Sequence, residues 1–307
     1  MKKNRLMIYF ILVVNICVYL VYWLLPPSWQ SRVWTKGLLP HQIVYSQSIY
    51  WKLGSVREQM GVFHNNSLNY GKPSLIAHTG AVCDFSYMTS LEAVEDALRK
   101  GFRYVELDLY ETVDGHLVAM HTLEELAAYV GKTVKEVKKM PLQELKKLRI
   151  AGKYTVLSDR DVCRLMDTYP EMILVTDRIQ DMEVLKEKIF YPDRMIVEVG
   201  SRYQYARALE LGFNYPALTI NSKWNLKWAS FDSIPLLVLN AQLYSDPEVK
   251  EITQKLHEKR VTILVHNASI CDKPNFIQSF VGKNCSMIYT NSWTPANPPP
   301  LKRTEEQ

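Results

Sequence analysis

The chain has 307 residues, 47% hydrophobic and 22% charged, an ordinary globular balance that excludes wholesale disorder and allows one large domain or two small ones. Its formal net charge of +5 is mild, and no stripe of interleaved basic and aromatic residues marks a nucleic-acid surface. The five cysteines show no Cys-x-x-Cys or other metal-ligand spacing, which argues against a zinc site; Cys271 and Cys285 fit either a disulfide in an exported domain or two buried thiols.

Leu6 to Leu25 is a run without charge in which Asn15 is the one strongly polar residue, and as a helix it is long enough to cross a hydrocarbon core of about 30 Å. Lys2, Lys3 and Arg5 favour an N-terminus on the cytoplasmic side, although Arg32 and Lys36 beyond the run reduce the asymmetry. A cleaved signal peptide is the competing reading. Its apolar core would be unusually long, and Pro26-Pro27-Ser28-Trp29 offers no small-residue cleavage pattern. The expectation is a single-pass membrane anchor over residues 1–25, with the rest of the chain outside the cytoplasm. Residues 26–72 mix Trp29, Trp34 and Trp51 with polar residues and read as a juxtamembrane connector, whose tryptophans suit either the membrane interface or packing on the domain.

After Pro73 short apolar, β-branched runs alternate with helical segments. Strands are expected at Leu75 to His78, Arg103 to Leu109, Met172 to Asp177, Met195 to Val199, Ala217 to Ile220, Leu236 to Asn240, Val261 to His266 and Ser286 to Thr290. Helices are expected at Ser90 to Lys100, Ser158 to Thr168, Met182 to Ile189, Tyr203 to Leu211 and Pro247 to Lys259. Such alternation implies parallel strands with right-handed crossovers, and eight units in this length fit a TIM (β/α)8 barrel over residues 73–293 better than an open sheet. His116 to His121 reads as an extra strand after a Val113-Asp114-Gly115 turn, and the lysine-rich Thr122 to Ala151 as an insertion whose charges form a solvated face. Residues 294–307, with three consecutive prolines, read as a disordered tail.

Four residues at the ends of these runs carry the chemistry: His78, Glu106, Asp108 and His121. Strand alternation puts Tyr104, Glu106, Asp108 and Tyr110 on one face and Val105, Leu107 and Leu109 on the other. Two carboxylates two residues apart on one face repel each other and are costly to desolvate, so they call for solvent or a cation; a hard ion such as Mg²⁺ or Ca²⁺ suits oxygen ligands. Glu198, Asn221, Lys223, Trp224 and His266 stand near the ends of later strands, where a barrel opens its pocket; they either line it or lie in solvated loops.

These motifs resemble the glycerophosphodiester phosphodiesterases, within the phosphatidylinositol-phospholipase-C-like TIM barrels. The resemblance rests on Ala77-His78-Thr79-Gly80, Thr89-Ser90-Leu91-Glu92-Ala93, Gly101 through Glu106-Leu107-Asp108, Asp114-Gly115, His121 and Ile288-Tyr289-Thr290-Asn291, in order over residues 73–293. It implies a metal-dependent phosphodiesterase in which His78 and His121 are general base and general acid, and Glu106 and Asp108 bind a divalent ion. A third ligand is expected where the family carries Glu-x-Lys. Asp177 stands there, and either ligates or caps a following helix. The chain departs from the family at Thr79, where an arginine is usual, at Met88, where the usual Glu-Asn-Thr becomes Met88-Thr89-Ser90, and at Thr122, where an aspartate is usual. Lys223 is the candidate to replace the missing arginine at the phosphate, with Trp224 beside it lining the mouth.

The expected function is hydrolysis of glycerol-type phosphodiesters, such as a glycerophosphodiester, a lipid headgroup or an envelope polymer, by a membrane-held enzyme. A catalytically degenerate barrel serving as a binding or scaffold protein is the alternative that Thr79, Met88 and Thr122 raise. A metal-independent phospholipase-C-like enzyme would place an arginine where this chain has Glu106 and Asp108.

Overall fold

The computed structural model describes residues 13, 14, 16–22, 24, 25, 74–82, 89–177, 181–232 and 234–299, with side chains 228, 231 and 232 left aside. All of the expected connector, residues 300–307 of the expected tail, Met88, and part of the Leu6 to Leu25 run lie outside the described residues. The described part of that run is helical and its apolar side chains are exposed, Leu24 to 85%. Among the described residues no helix is long and apolar enough to cross a membrane.

The strands are β1 (Ser74–Ala77), β2 (Tyr104–Glu111), β3 (Leu117–Ala119), β4 (Arg149–Ile150), β5 (Tyr154–Thr155), β6 (Ile173–Asp177), β7 (Met195–Val199), β8 (Tyr215–Ile220), β9 (Leu236–Asn240), β10 (Thr262–His266) and β11 (Met287–Thr290). Eight of them run parallel in the order β1, β11, β10, β9, β8, β7, β6, β2. The sheet closes on itself, because β1 pairs on one side with β11 and on the other with β2, through Ile76 against Tyr104 and Ala77 against Val105. The eight expected barrel strands are all present, shifted by two residues at most, and the extra strand is β3, antiparallel to β2.

Period-two alternation divides each strand between two cores. Ile76, Tyr104, Val175, Ile196, Val238, Leu264 and Tyr289 fill the barrel interior, while Ala77, Val105, Leu107, Leu174, Val197 and Ile288 face the surrounding helices. The helices start where their caps stand: Ser90 accepts from the Ala93 amide, Ser158 closes a reciprocal box with Asp161, and Ser201 accepts from the Gln204 amide. Asp181, rather than Asp177, caps the helix Met182–Lys188. The helices Lys223–Asp232 and Pro274–Phe280 lack an apolar rhythm clear enough to read in the chain and form against the barrel nonetheless.

The insertion is a small lobe of three short helices, Leu123–Tyr129, Val134–Val137 and Leu142–Leu145, closed by the β4–β5 hairpin. Val118, Met120, Leu126, Leu142, Leu145 and Ile150 give it a core of its own. It sits on the side of the barrel where the parallel strands end, since the Thr155 amide donates to Glu92 in the first turn of the helix Leu91–Arg99 at 2.9 Å. Cys271 and Cys285 are buried free thiols, so of the two options open in the sequence the structure takes the second.

Gly80 closes the turn after β1 in the left-handed region, at φ 63°. A Cβ added there would lie 2.5 Å from Val94 Cγ2 and 3.0 Å from Leu107 Cδ2, both on the wall of the core. Gly80→Ala is therefore expected to destabilise the fold by about 2 kcal/mol or more, from overpacking added to an unfavourable φ. Thermal melting against the parent checks this, and an unchanged Tm would contradict it.

Candidate active site

Glu106 and Asp108 lie on the inner face of β2 where it reaches the rim, and β6 pairs in register so that Asp177 stands opposite Asp108. One oxygen of each of the three carboxylates comes within 4.8 Å of the others, with Glu106 and Asp108 each only 4% exposed. Strand register alone produces this: three acidic side chains on neighbouring strands point inward at nearly one level. An all-carboxylate donor set, largely withdrawn from water, fits a hard divalent cation such as Mg²⁺ or Ca²⁺, because without one each charge pays for both desolvation and repulsion.

Thr79 pins one member of the trio. Its amide donates to Glu106 Oε2 at 2.7 Å, and to aim it there the backbone adopts φ 55°, an uncommon conformation for a β-branched residue. The residue where the family carries an arginine thus acts here through its main chain, with its side chain buried.

The two histidines meet across the mouth. His78 follows β1 and His121 follows β3, drawn to the rim by the Met120 amide bonded to the Asp108 carbonyl at 3.0 Å; the imidazole centroids are 6.0 Å apart at 74°. The His78 Nδ1 lies 3.0 Å from Asn291 Oδ1, so it carries the proton and leaves the Nε2 lone pair of a neutral ring for chemistry. The His121 Nδ1 lies 2.9 Å from Glu125 Oε2, a carboxylate able to hold the Nδ1–H of either a neutral or a charged ring. Burial lowers the His78 pKa below the usual imidazole value of 6.5; the Asn291 bond opposes this, His121 and His266 reinforce it, and Asp177 opposes it.

On the far wall stands Glu198 of β7, half-buried. Burial, then the neighbouring Asp177, raise its pKa well above the usual carboxylate range. It accepts the phenolic hydrogen of Tyr289, whose own ionisation is pushed well up by burial and by Glu198. His266 ends β10 beside the same phenol, with centroids 6.4 Å apart, and burial lowers its pKa too.

The remaining residues singled out in the chain lie outside this group. Lys223 points to the next helix, its ammonium 2.8 Å from Asp246 and 3.1 Å from Glu248. Trp224, 65% exposed, lines a cleft of about 290 Å³ with Gly200, Ser201, Arg202, Leu218 and Thr219, at the ends of β7 and β8. Three polar partners were missed: Glu125, Tyr289 and Asn291. Glu125 carried a signal, standing one helical turn beyond His121; Tyr289 and Asn291 stand in the closing Ile288-Tyr289-Thr290-Asn291 motif, but meet Glu198 and His78 only in the closed barrel.

Residues 78–215 match the model of the Glycerophosphoryl diester phosphodiesterase family, a span that contains His78, the three clustered carboxylates, His121 and Glu198. The barrel is similar, over those residues, to this family of phosphoric diester hydrolases. Solved structures agree on the fold. A glycerophosphoryl diester phosphodiesterase from Parabacteroides distasonis is 19% identical, with a TM-score of 0.60 over 73% of this chain and 85% of its own. The glycerophosphodiester phosphodiesterase of Thermotoga maritima is 18% identical, with a TM-score of 0.55 over 73% of this chain and 96% of its own. An Oleispira antarctica phosphodiesterase, solved in complex with the product sn-glycerol-3-phosphate, is 16% identical, with a TM-score of 0.55 over 72% and 93%. No curated protein matches the chain in sequence.

In this barrel the His78 ring is expected to titrate below pH 6.5, because protonation would charge a largely desolvated group beside two other imidazoles. NMR titration of its ring proton, assigned by loss of the signal in His78→Gln, measures this, and a midpoint above the ordinary value would contradict the geometry.

Proposed function

We propose that this chain is a metal-dependent hydrolase of glycerol-type phosphodiesters, with Glu106, Asp108 and Asp177 holding one divalent cation, His78 as general base and His121 as general acid. The observation that carries the reading is the convergence of three carboxylate oxygens within 4.8 Å beside an imidazole pair 6.0 Å apart at one rim of the barrel.

The two histidines suit different halves of the reaction. His78, buried and bonded to a neutral amide, keeps an unprotonated Nε2 that can accept a proton from a hydroxyl nucleophile. His121, with a carboxylate on its Nδ1, can deliver a proton from Nε2 to the departing alkoxide while Glu125 holds the other side of the ring. A bound cation would supply charge neutralisation of the phosphate oxygens and so lower the barrier to attack on an anionic diester. The main-chain bond from Thr79 keeps Glu106 in place throughout.

The substrate class is supported by the family and by the sn-glycerol-3-phosphate found with the Oleispira antarctica protein. A lipid headgroup or envelope polymer is the natural source of such a diester if Leu6 to Leu25 anchors the chain with its barrel outside the cytoplasm; the exposed apolar side chains of that run support the anchor. A scaffold role draws on two departures among the described residues, a buried Thr79 where the family has an arginine and Thr122, which caps the helix Leu123–Tyr129, where an aspartate is usual.

Assay of glycerophosphodiesters and lysophospholipids with and without Mg²⁺ or Ca²⁺ tests this. Metal-stimulated release of glycerol 3-phosphate or of lysophosphatidic acid is expected, and it should vanish in Glu106→Ala and Asp108→Ala. His78→Ala and His121→Ala should each cost about 10²-fold or more, the scale of a positioned proton-transfer group. Binding of a divalent ion without turnover across the panel would favour the scaffold instead.

The anchor is tested by adding protease to intact cells. The barrel should be cleaved; full protection until lysis would reverse the topology.

A further inference from the structure

Tyr289 and Glu198 sit on opposite walls of the barrel. In the closed order β1, β11, β10, β9, β8, β7, β6, β2, the strand carrying Tyr289 and the strand carrying Glu198 are four places apart of eight, so their hydrogen bond spans the barrel. Both ends of this strut touch the reading above. On one wall the phenol ring meets the edge of His78 at 6.2 Å and 70°, and of His266 at 6.4 Å and 77°. On the other, Glu198 stands on the strand beside Asp177, since β6 and β7 pair through Thr176 and Val197, the residues just before each. Its second oxygen is reached by the Thr219 hydroxyl at 3.5 Å.

A barrel interior ordinarily fills with aliphatic side chains, as the layer below does here with Ile76, Val175, Ile196 and Val238. A phenol and a carboxylic side chain buried there cost desolvation that two hydrogen bonds return only in part. What they add is position. The β1 wall bears the proposed base and the β2 and β6 walls bear the proposed cation ligands; the Thr79 amide ties the base's turn to Glu106, and the strut joins the opposite walls.

Resting on the proposed hydrolase reading, we infer that Tyr289 is a positioning residue for catalysis: gripped by Glu198 across the barrel, it seats the His78 ring against the carboxylate trio. The phenol touches no reacting atom. It acts together with the Asn291 bond to limit the swing of His78. A base displaced by a fraction of an ångström loses rate while substrate binding is unchanged.

The test uses the full-length chain in detergent micelles with Mg²⁺ or Ca²⁺ and glycerophosphocholine, comparing Tyr289→Phe, Glu198→Leu and the double variant. Tyr289→Phe keeps the ring and removes the strut; it is expected to lower kcat by about tenfold or more with KM within about twofold, and to shift the His78 ring-proton resonance. The double variant replaces both polar partners by apolar groups, so its Tm should return toward the parent, while kcat stays as low as in Tyr289→Phe because the two residues act as a unit. Should the single variants fail to fold, the double variant carries the comparison. Recovery of kcat together with Tm in the double variant would reduce the bond to a structural one and overturn the inference, as would an unmoved His78 resonance and unchanged kcat in Tyr289→Phe. If the parent itself turns over no diester, the hydrolase reading falls. The strut is then decided by the His78 resonance alone: a shift in Tyr289→Phe upholds it and no shift overturns it.

Discussion

Repulsion among buried carboxylates is the constraint around which this rim is organised. Two unit charges 4.8 Å apart cost about 3 kcal/mol at an effective dielectric of about 20, and Glu106, Asp108 and Asp177 make three such pairs. Folding brings them together regardless, because the closure of the barrel and the burial of two apolar cores fix the strand register, and the register fixes where inward side chains fall. Local devices then hold the cluster: the Thr79 amide neutralises part of the charge on Glu106, and the hydroxyls of Tyr289 and Thr219 engage Glu198. A hard divalent cation among the three carboxylates would offset the repulsion further.

The same economy explains the departure at Thr79. An arginine in the turn after β1 would bring a side-chain cation to the mouth; here the position is buried, left-handed and committed through its main chain to Glu106. Gly80 follows in the same region of conformational space, packed against Val94 and Leu107, so two successive residues hold a tight turn whose one outlet toward the site is a peptide N–H. Lys223 is held by Asp246 and Glu248. On the proposed reading, a cation held between the carboxylates would meet the charge of the phosphate together with the imidazoles.

The lobe between β3 and the helix Asp159–Thr168 serves the site in a second way. Its first helix carries Glu125 on the turn that begins one residue after His121, so the residue that delivers the proposed acid and the residue that orients it come from one short segment with a core of its own. The tie from Thr155 to Glu92 holds the lobe to the helix after β1. His121 is thus fixed from two directions: through Met120 to Asp108 and through Glu125 in the lobe.

Read by itself, the chain determined which elements form and which side of each strand faces in, because apolar alternation and capping serines are local and survive in sequence. That is why all eight barrel strands, the partition of Glu106 and Asp108 from Val105 and Leu107, and the rim position of His78 and His121 were legible. Asp177 was ambiguous between ligand and helix cap; the structure assigns the cap to Asp181 and brings Asp177 to the acidic cluster, a distinction set by strand register. Lys223 stood in a plausible place, yet its side chain turns to a neighbouring helix, while Trp224 lines a cleft at the ends of β7 and β8. Tyr289 with Glu198, and Asn291 with His78, belong to the tertiary structure alone: their partners are 91 and 213 residues away, and closure of the barrel is what puts them within a hydrogen bond.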